Sequence, residues 1–453
     1  MRPLLTNPAR RGIRSPEFAS APLHEKLALL AILALPLQAA LTINAGFPLK
    51  LSELLLIASI GTAAVQAVRQ RRLRWGSWPA DRIFVAVLAA CLVVATVIAL
   101  LTANFAQDIR GVHRSVPVDI MLYCGYGLFV LISWEILRHL RFSVLRDVLL
   151  QSFWVCAAAV IVQVVGRLLH LRATLETLGF DMVPRGLTLL GVTFPRSGPF
   201  VEGQHLGFYA GVILVLALYS GRYATSVGAL LCVLYSESTT GYGGVAVAIL
   251  VLALLRPKRM ILIALGTAAA IGGLLIALVP QFRAIVFLQL QKVGLMPATS
   301  GNPTKSLDVR SAKAEIGWRM MWDNPWGVGP GRYSAHFADY AHEYPQLPRY
   351  LFEGDSRAIV ENGYMQIGAE MGVLAFAAML ALLLWSVWRV WRSDMGALAA
   401  IVFVAVGFAT QSSWTFMPVW AALALTASAI RQTELLQAPA PAPSTLAGGP
   451  VRH

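Results

Sequence analysis

The chain has 453 residues, 57% hydrophobic and only 13% charged. A soluble domain carries about twice that charged fraction, so a soluble enzyme is excluded. The formal charge of +14 does not indicate nucleic acid, because most arginines border apolar runs, as orientation signals in membrane proteins do.

The expected fold is all-α, a polytopic integral membrane protein with twelve transmembrane helices. In chain order the spans are predicted at 24–43, 49–68, 82–102, 117–137, 148–169, 205–220, 223–236, 242–255, 260–279, 363–388, 396–414 and 417–430. The N-terminus "MRPLLTNPARRGIRSPEFAS" is basic, but no small-residue cleavage site follows the first apolar run. That run is therefore read as a retained span rather than a removed signal peptide. Arg2, Arg10, Arg11, Arg14 and Lys26 precede or open span one, and Arg69, Arg71, Arg72, Arg74 and Arg82 surround the second connection. Arg138, Arg141 and Arg146 mark the fourth connection, and Arg256, Lys258 and Arg259 the eighth. Short connections on the other side hold only Lys50, Arg110 and Arg114. This asymmetry predicts a multi-pass protein with both termini cytoplasmic.

The corresponding organisation is a basic cytoplasmic segment (1–23), spans one to nine (24–280), a large outer loop (281–362), spans ten to twelve (363–430) and a tail (431–453). The tail contains "QAPAPAPSTLAGGP" and is expected to be disordered in the cytoplasm. Cys91, Cys124, Cys156 and Cys232 all lie in apolar segments without C-x-x-C pairing and read as small buried hydrophobes.

Four polar clusters converge on the outer face. "FPRSGPFVEGQHLGFY" brings Arg196, Glu202 and His205 to span six, and "YSESTTGYGG" joins spans seven and eight. "DVRSAKAEIGWRMMWDNPWGVGPGRY" carries Arg310, Lys313, Arg319 and Arg332, and "SRAIVENGY" returns Arg357 and Glu361 to the membrane. If 309–322 is helical, the three- and four-residue spacings put Arg310 with Lys313, and Glu315 with Arg319, on shared faces. Pro325 then ends that helix, and Gly327, Gly329 and Gly331 permit a tight turn. No K-[ST] follows this glycine run, so it is not a P-loop. Each cluster also has a plainer reading. Arg196 suits an interface anchor, Arg310 and Arg319 suit surface charge, and Glu361 suits a cap on span ten. "HFADYAH" sets His336, Asp339 and His342 at i, i+3 and i+6, a spacing too divergent for a helical metal site, and no metal is expected. Trp318, Trp322, Trp326, Tyr333, Tyr340 and Tyr344 suit either sugar stacking or an aromatic belt.

The order and spacing of several short motifs resemble the O-antigen ligase and O-antigen polymerase superfamily of bacterial envelope proteins. "RSGPF" from Arg196 is similar to the family's arginine-serine-glycine stretch. "SESTT" matches its serine-rich turn but lacks the arginine common there, and Arg310 before "PWGVGPG" matches an arginine upstream of a "PLLGVG"-like turn. Ligases carry a histidine-asparagine pair, nine residues, a glycine, two residues and a small residue. Glu361-Asn362, Gly372 and Ala375 fall on that spacing, with Glu361 replacing the histidine. An acid there is more similar to some exopolysaccharide and O-antigen polymerases.

The resemblance implies a membrane glycosyltransferase, a polymerase acting at the periplasmic face of the bacterial inner membrane. Its donor is an undecaprenyl-diphosphate-linked glycan and its acceptor another glycan; ligation to lipid A core is the alternative. It implies no cofactor and no metal, the lipid bilayer and other polysaccharide assembly proteins as partners, and no nucleic acid. Glu361, Arg310 and Arg196 are the expected catalytic residues: arginines meet the charge on a departing diphosphate, and Glu361 takes the acceptor proton. Arg319, His336, His205 and Asn362 are the expected substrate-binding residues, with His336 and His205 as substitute bases. Two readings from other classes compete: a transporter or flippase, with essential residues at mid-membrane depth, and a non-catalytic assembly partner tolerant of Glu361→Gln.

Overall fold

A computed structural model describes residues 13, 16–44, 48–69, 78–103, 114–185, 188–189, 192–255, 303–345, 347–348, 351, 358–411 and 413–437, with scattered positions between 266 and 296. Span nine (260–279), the segment 281–302 and the tail from 438 fall largely or wholly outside these residues, as do Arg71, Arg72, Arg74, Arg110, Arg256, Arg259 and Arg357.

The described chain is mostly helical. The helices are α1 (Pro16–Ser20), α2 (Leu23–Leu33), α3 (Leu51–Arg69), α4 (Ala80–Thr102), α5 (Val116–Leu137), α6 (Phe142–Leu168), α7 (Arg172–Thr177) and α8 (Gly203–Tyr219). There follow α9 (Tyr223–Ser236), α10 (Thr239–Leu255), α11 (Pro303–Asp323), α12 (Tyr333–Ala341), α13 (Gly363–Met371), α14 (Val373–Val390), α15 (Met395–Phe408) and α16 (Met417–Gln437). Two antiparallel hairpins, β1 (Ile43–Asn44) with β2 (Pro48–Leu49) and β3 (Thr188–Leu189) with β4 (Val192–Thr193), complete the regular structure.

Five helices, α3, α4, α5, α6 and α14, are long and apolar enough to cross a membrane. α8, α9, α10 and α15 are apolar but shorter, at 14 to 17 residues. Fourteen residues rise about 21 Å, less than the roughly 30 Å hydrocarbon core. Among the described residues the predicted spans thus divide into long apolar helices and shorter ones, and the short α9 and α10 keep exposed apolar faces. α15 is buried on nearly every face, and every residue of α16 from Met417 to Ile430 is buried, the pattern of a helix enclosed by protein. α8 packs on α9, α10 and α15, while α16 packs on α5, α6 and α15. All four cysteines are buried and free.

Two predicted spans are corrected. The first apolar run does not form a helix over 24–43; α2 covers only Leu23–Leu33, and the chain then turns. Pro36 lacks the N–H that would continue the ladder and its ring would clash with the preceding turn. Beyond it, Gln38 N and Ala39 N donate to Pro199 O at 3.2 and 2.9 Å. Span ten is two helices, α13 and α14, broken at Gly372 with φ +90°. The turn after Pro325 fills this break. Val328 N donates to Ala369 O (2.9 Å), Gly329 N to Glu370 O (3.0 Å) and Val373 N to Pro325 O (3.0 Å). Backbone groups freed within a span must find such partners, because lipid supplies none.

Charged pairs gather at the end of the bundle opposite this break. Arg82 bonds Glu135, Arg138 meets Asp81 at 2.9 Å, Arg389 bonds Glu434, and Arg222 meets Asp147 at 3.3 Å. These residues lie at or next to the ends of α4, α5, α14, α16, α9 and α6.

A Cβ at position 372 would stand 2.2 Å from Pro325 O, on a backbone that L side chains rarely adopt. Gly372→Ala is expected to cost about 3 kcal/mol. Gly61→Ala on α3, where a Cβ meets nothing within 4 Å, should be neutral or slightly stabilising. Thermal unfolding in detergent compares the two; equal midpoints would contradict the role given to the break.

Candidate active site

The helix α11 packs on α13. Gly368 makes the contact close, since a Cβ there would stand 2.4 Å from Met321 Sδ. Tyr333, at the start of α12, donates its hydroxyl to Lys313 O at 2.8 Å and so ties α12 to the same helix. Asn362 caps α13, its Oδ1 accepting from Tyr364 N and Met365 N at 3.1 Å each. The cap is therefore Asn362, not Glu361.

Glu361, immediately before the cap, adopts the left-handed conformation at φ +55°. That backbone costs a non-glycine residue about 1–2 kcal/mol, and two cations offset it. Arg310 Nε lies 2.7 Å from Glu361 Oε2, and Lys313 Nζ lies 2.8 Å from Oε1. The one-turn spacing of the two cations on α11 aims both at one carboxylate. The clamp is asymmetric. The Lys313 side chain is only 7% exposed, whereas that of Arg310 is 39% exposed. Lys313 is thus the enclosed half and Arg310 the solvent-facing half. Tyr333 is buried against this cluster; burial, then the Glu361 charge, hold its hydroxyl well above the usual tyrosine range.

The other expected site residues fall elsewhere. Arg319 bonds Glu343, lies 3.4 Å from Glu315 and sits over the Tyr344 ring at 5.3 Å, so it belongs to a surface network beside the clamp. His336 Nδ1 faces Asp339 Oδ2 at 3.6 Å. Among the described residues no three His, Cys, Asp or Glu side chains form a metal-binding group. Arg196 lies against Gly203, where a Cβ would meet its Cγ at 2.9 Å. It acts electrostatically on Tyr242, as does Glu237 of the "SESTT" turn. No hydrogen bond or ion pair of Arg196 is found among the described residues. His205 packs on Phe416, ring centroids 4.9 Å apart.

The four polar clusters thus assemble in two pairs: the 196–205 stretch with the 236–240 turn, and α11 with Glu361. The connection between α15 and α16 joins them. Gln204 bonds Thr410 O, Thr240 Oγ1 lies 2.7 Å from Thr410 Oγ1, and Trp414 N donates to Gln366 Oε1 at 3.2 Å. This connection escaped the sequence reading, which placed it inside span eleven and its junction with span twelve. Fully buried Gln411 was missed as well, and Glu370, legible as a charge in an apolar run, was given no role in the site although it is buried next to Gln366 (3.5 Å).

Residues 224–380 match the family model described as O-antigen ligase. Over these residues the chain is similar to the O-antigen ligase and polymerase superfamily. The match contains the "SESTT" turn, Arg310, the glycine turn, Glu361 and Gly372, and leaves Arg196 and His205 outside. Family likeness and geometry therefore meet on the α11–Glu361 pair. No curated protein and no solved structure matches the chain.

Removing Lys313 leaves a partly buried carboxylate with one screened partner. Lys313→Met is expected to cost about 2–3 kcal/mol, and the double variant with Glu361→Gln to recover part of that loss. Additive losses in thermal unfolding would refute the coupling.

Burial, and then the Arg332 charge, hold the His336 imidazole below its usual range. Its stability contribution is therefore fully present above its unfolded value of about 6.5 and is lost as pH falls from there. Unfolding midpoints should drop on acidification in this window, and His336→Gln should flatten that drop. An unchanged slope in the variant would show that other groups carry it.

Proposed function

We propose that the protein is a glycosyltransferase that joins lipid-diphosphate-linked glycans at the periplasmic face of the inner membrane, as a polymerase of O-antigen or exopolysaccharide. The observation that carries this reading is the Arg310–Glu361–Lys313 clamp at the mouth of the broken span. A diphosphate arriving there competes with Glu361 for Arg310, the exposed half of the clamp. Once Oε2 is released, the carboxylate stays tethered through Lys313 and faces the incoming acceptor.

The acceptor hydroxyl then attacks the anomeric carbon and its proton passes to Glu361. The bond from that carbon to the diphosphate oxygen breaks, and the lipid diphosphate departs with the electron pair. Arg310 stabilises the charge that develops on the leaving group, and Arg196 supplies a second guanidinium from the other polar pair. A positioned base of this kind contributes about 10²–10⁴-fold. His336, whose imidazole burial and then the Arg332 charge hold below its usual range, is the substitute base. Partners are the undecaprenyl-diphosphate-linked donor, a glycan acceptor and the bilayer. Transfer to lipid A core stands as the second reading, because the matching family model is described by ligase activity.

Expression of Glu361→Gln and Arg310→Ala in a null strain, with membrane levels checked, tests the proposal. Polymerase function predicts single repeat units on the carrier lipid and loss of long surface chains on gels. Long carrier-linked chains that never reach their acceptor would identify a ligase. Normal glycans from stable variants would remove the clamp from the chemistry.

A further inference from the structure

At the bundle end opposite Glu361, a cavity of about 570 Å³ opens between α1, α2, the α5–α6 turn and the end of α16. A single water occupies about 30 Å³ of liquid, so the space is far larger than one solvent bridge needs. Its lining is divided by charge. Glu17 and Glu25 stand on α1 and α2, Arg141 at the start of α6, and Arg431 on α16. Glu17 and Arg141 are exposed and 3.4 Å apart, a loose pair. Glu25 and Arg431 are half-buried and do not pair with each other. Among the described residues Arg431 donates to the carbonyl of His139, at 2.9 Å, and His139 itself turns to Glu135. No ion pair of Glu25 is found among the described residues. Two half-buried opposite charges across one cavity carry a desolvation cost that mutual contact does not offset.

A ligand holding both signs closes that gap. We infer that the cavity binds a zwitterionic phospholipid headgroup of the phosphoethanolamine type. The phosphate lies toward Arg431 and Arg141, which offer charge-assisted, fork-shaped donors. The primary ammonium lies toward Glu25 and Glu17, with three N–H donors for carboxylate oxygens. Leu29 and Leu435 also line the cavity, and Leu435 is exposed, giving the glycerol and first acyl carbons an apolar wall. The position suits a lipid, because α5 and α6, both long and apolar enough to cross a membrane, end and begin beside it. The inference is independent of the transferase reading.

The test uses the full-length protein in detergent, with lipid retention read by native mass spectrometry. Probes are phosphatidylethanolamine, phosphatidylglycerol and phosphatidylcholine with identical acyl chains, and soluble glycerophosphoethanolamine. Phosphatidylethanolamine should be retained over both other lipids. Phosphatidylglycerol lacks the ammonium, and phosphatidylcholine has no N–H to donate. Arg431→Gln should lower its occupancy roughly tenfold, and Glu25→Gln should erase its advantage over phosphatidylglycerol. Surface glycans should be unchanged in both variants. Preference for phosphatidylglycerol, or retention untouched by either substitution, overturns the inference. Equal binding of the soluble headgroup would reassign the cavity to a free zwitterion and overturn the lipid. If a variant fails to fold, the ranking of the three lipids on the wild-type protein still decides.

Discussion

The break at Gly372 governs how the outer half of the molecule is put together. A span interrupted in its first third frees backbone donors and acceptors where neither lipid nor water serves them. The turn Pro325–Gly329 supplies the partners, bonding Ala369 O, Glu370 O and Val373 N. That exchange fastens the segment after α11 to the junction of α13 and α14. It sets α11 against α13 at close range and so brings Arg310 and Lys313 to Glu361. Gly327 serves the same docking from the loop side: its φ is +84°, and a Cβ there would stand 2.4 Å from Glu370 O. The site is therefore a product of backbone satisfaction before it is a product of side-chain chemistry.

Charge is divided between the two ends for different physical ends. The pairs of Arg82, Arg138, Arg389 and Arg222 are internally compensated and tie helix termini together. At the other end the clamp is built unevenly, with a buried lysine and an exposed arginine on one carboxylate. A fully buried pair is rigid and closed to ligands, whereas a fully exposed pair is screened and contributes little. The mixed case keeps Glu361 in a costly backbone conformation while leaving one cation reachable.

The connection between α15 and α16 gives the outer end its continuity. Thr410 meets Gln204 and Thr240 on one side, and Trp414 meets Gln366 on the other. α15 is 14 residues long, and in the segment after it Gln411, Trp414 and Phe416 are buried.

Hydropathy and arginine placement by themselves determined the class, a helical membrane protein with charge asymmetry, because burial in lipid admits few residue types and few backbones. Motif spacing likewise marked Arg310, Glu361 and Gly372, since a one-turn interval and a required glycine are local properties of the chain. Helix integrity was less legible. Pro36 and Gly372 sit in apolar runs that satisfy any hydropathy window, yet each ends a helix through sterics that hydropathy does not register. Tertiary structure alone decided the partners. Lys313 and Glu361 are 48 residues apart in sequence, and Thr410 and Gln204 are 206 apart. No periodicity encodes such pairings. They exist because the turn at Pro325 docks into the break at Gly372, and because the segment after α15 is held by bonds to α8, α10 and α13.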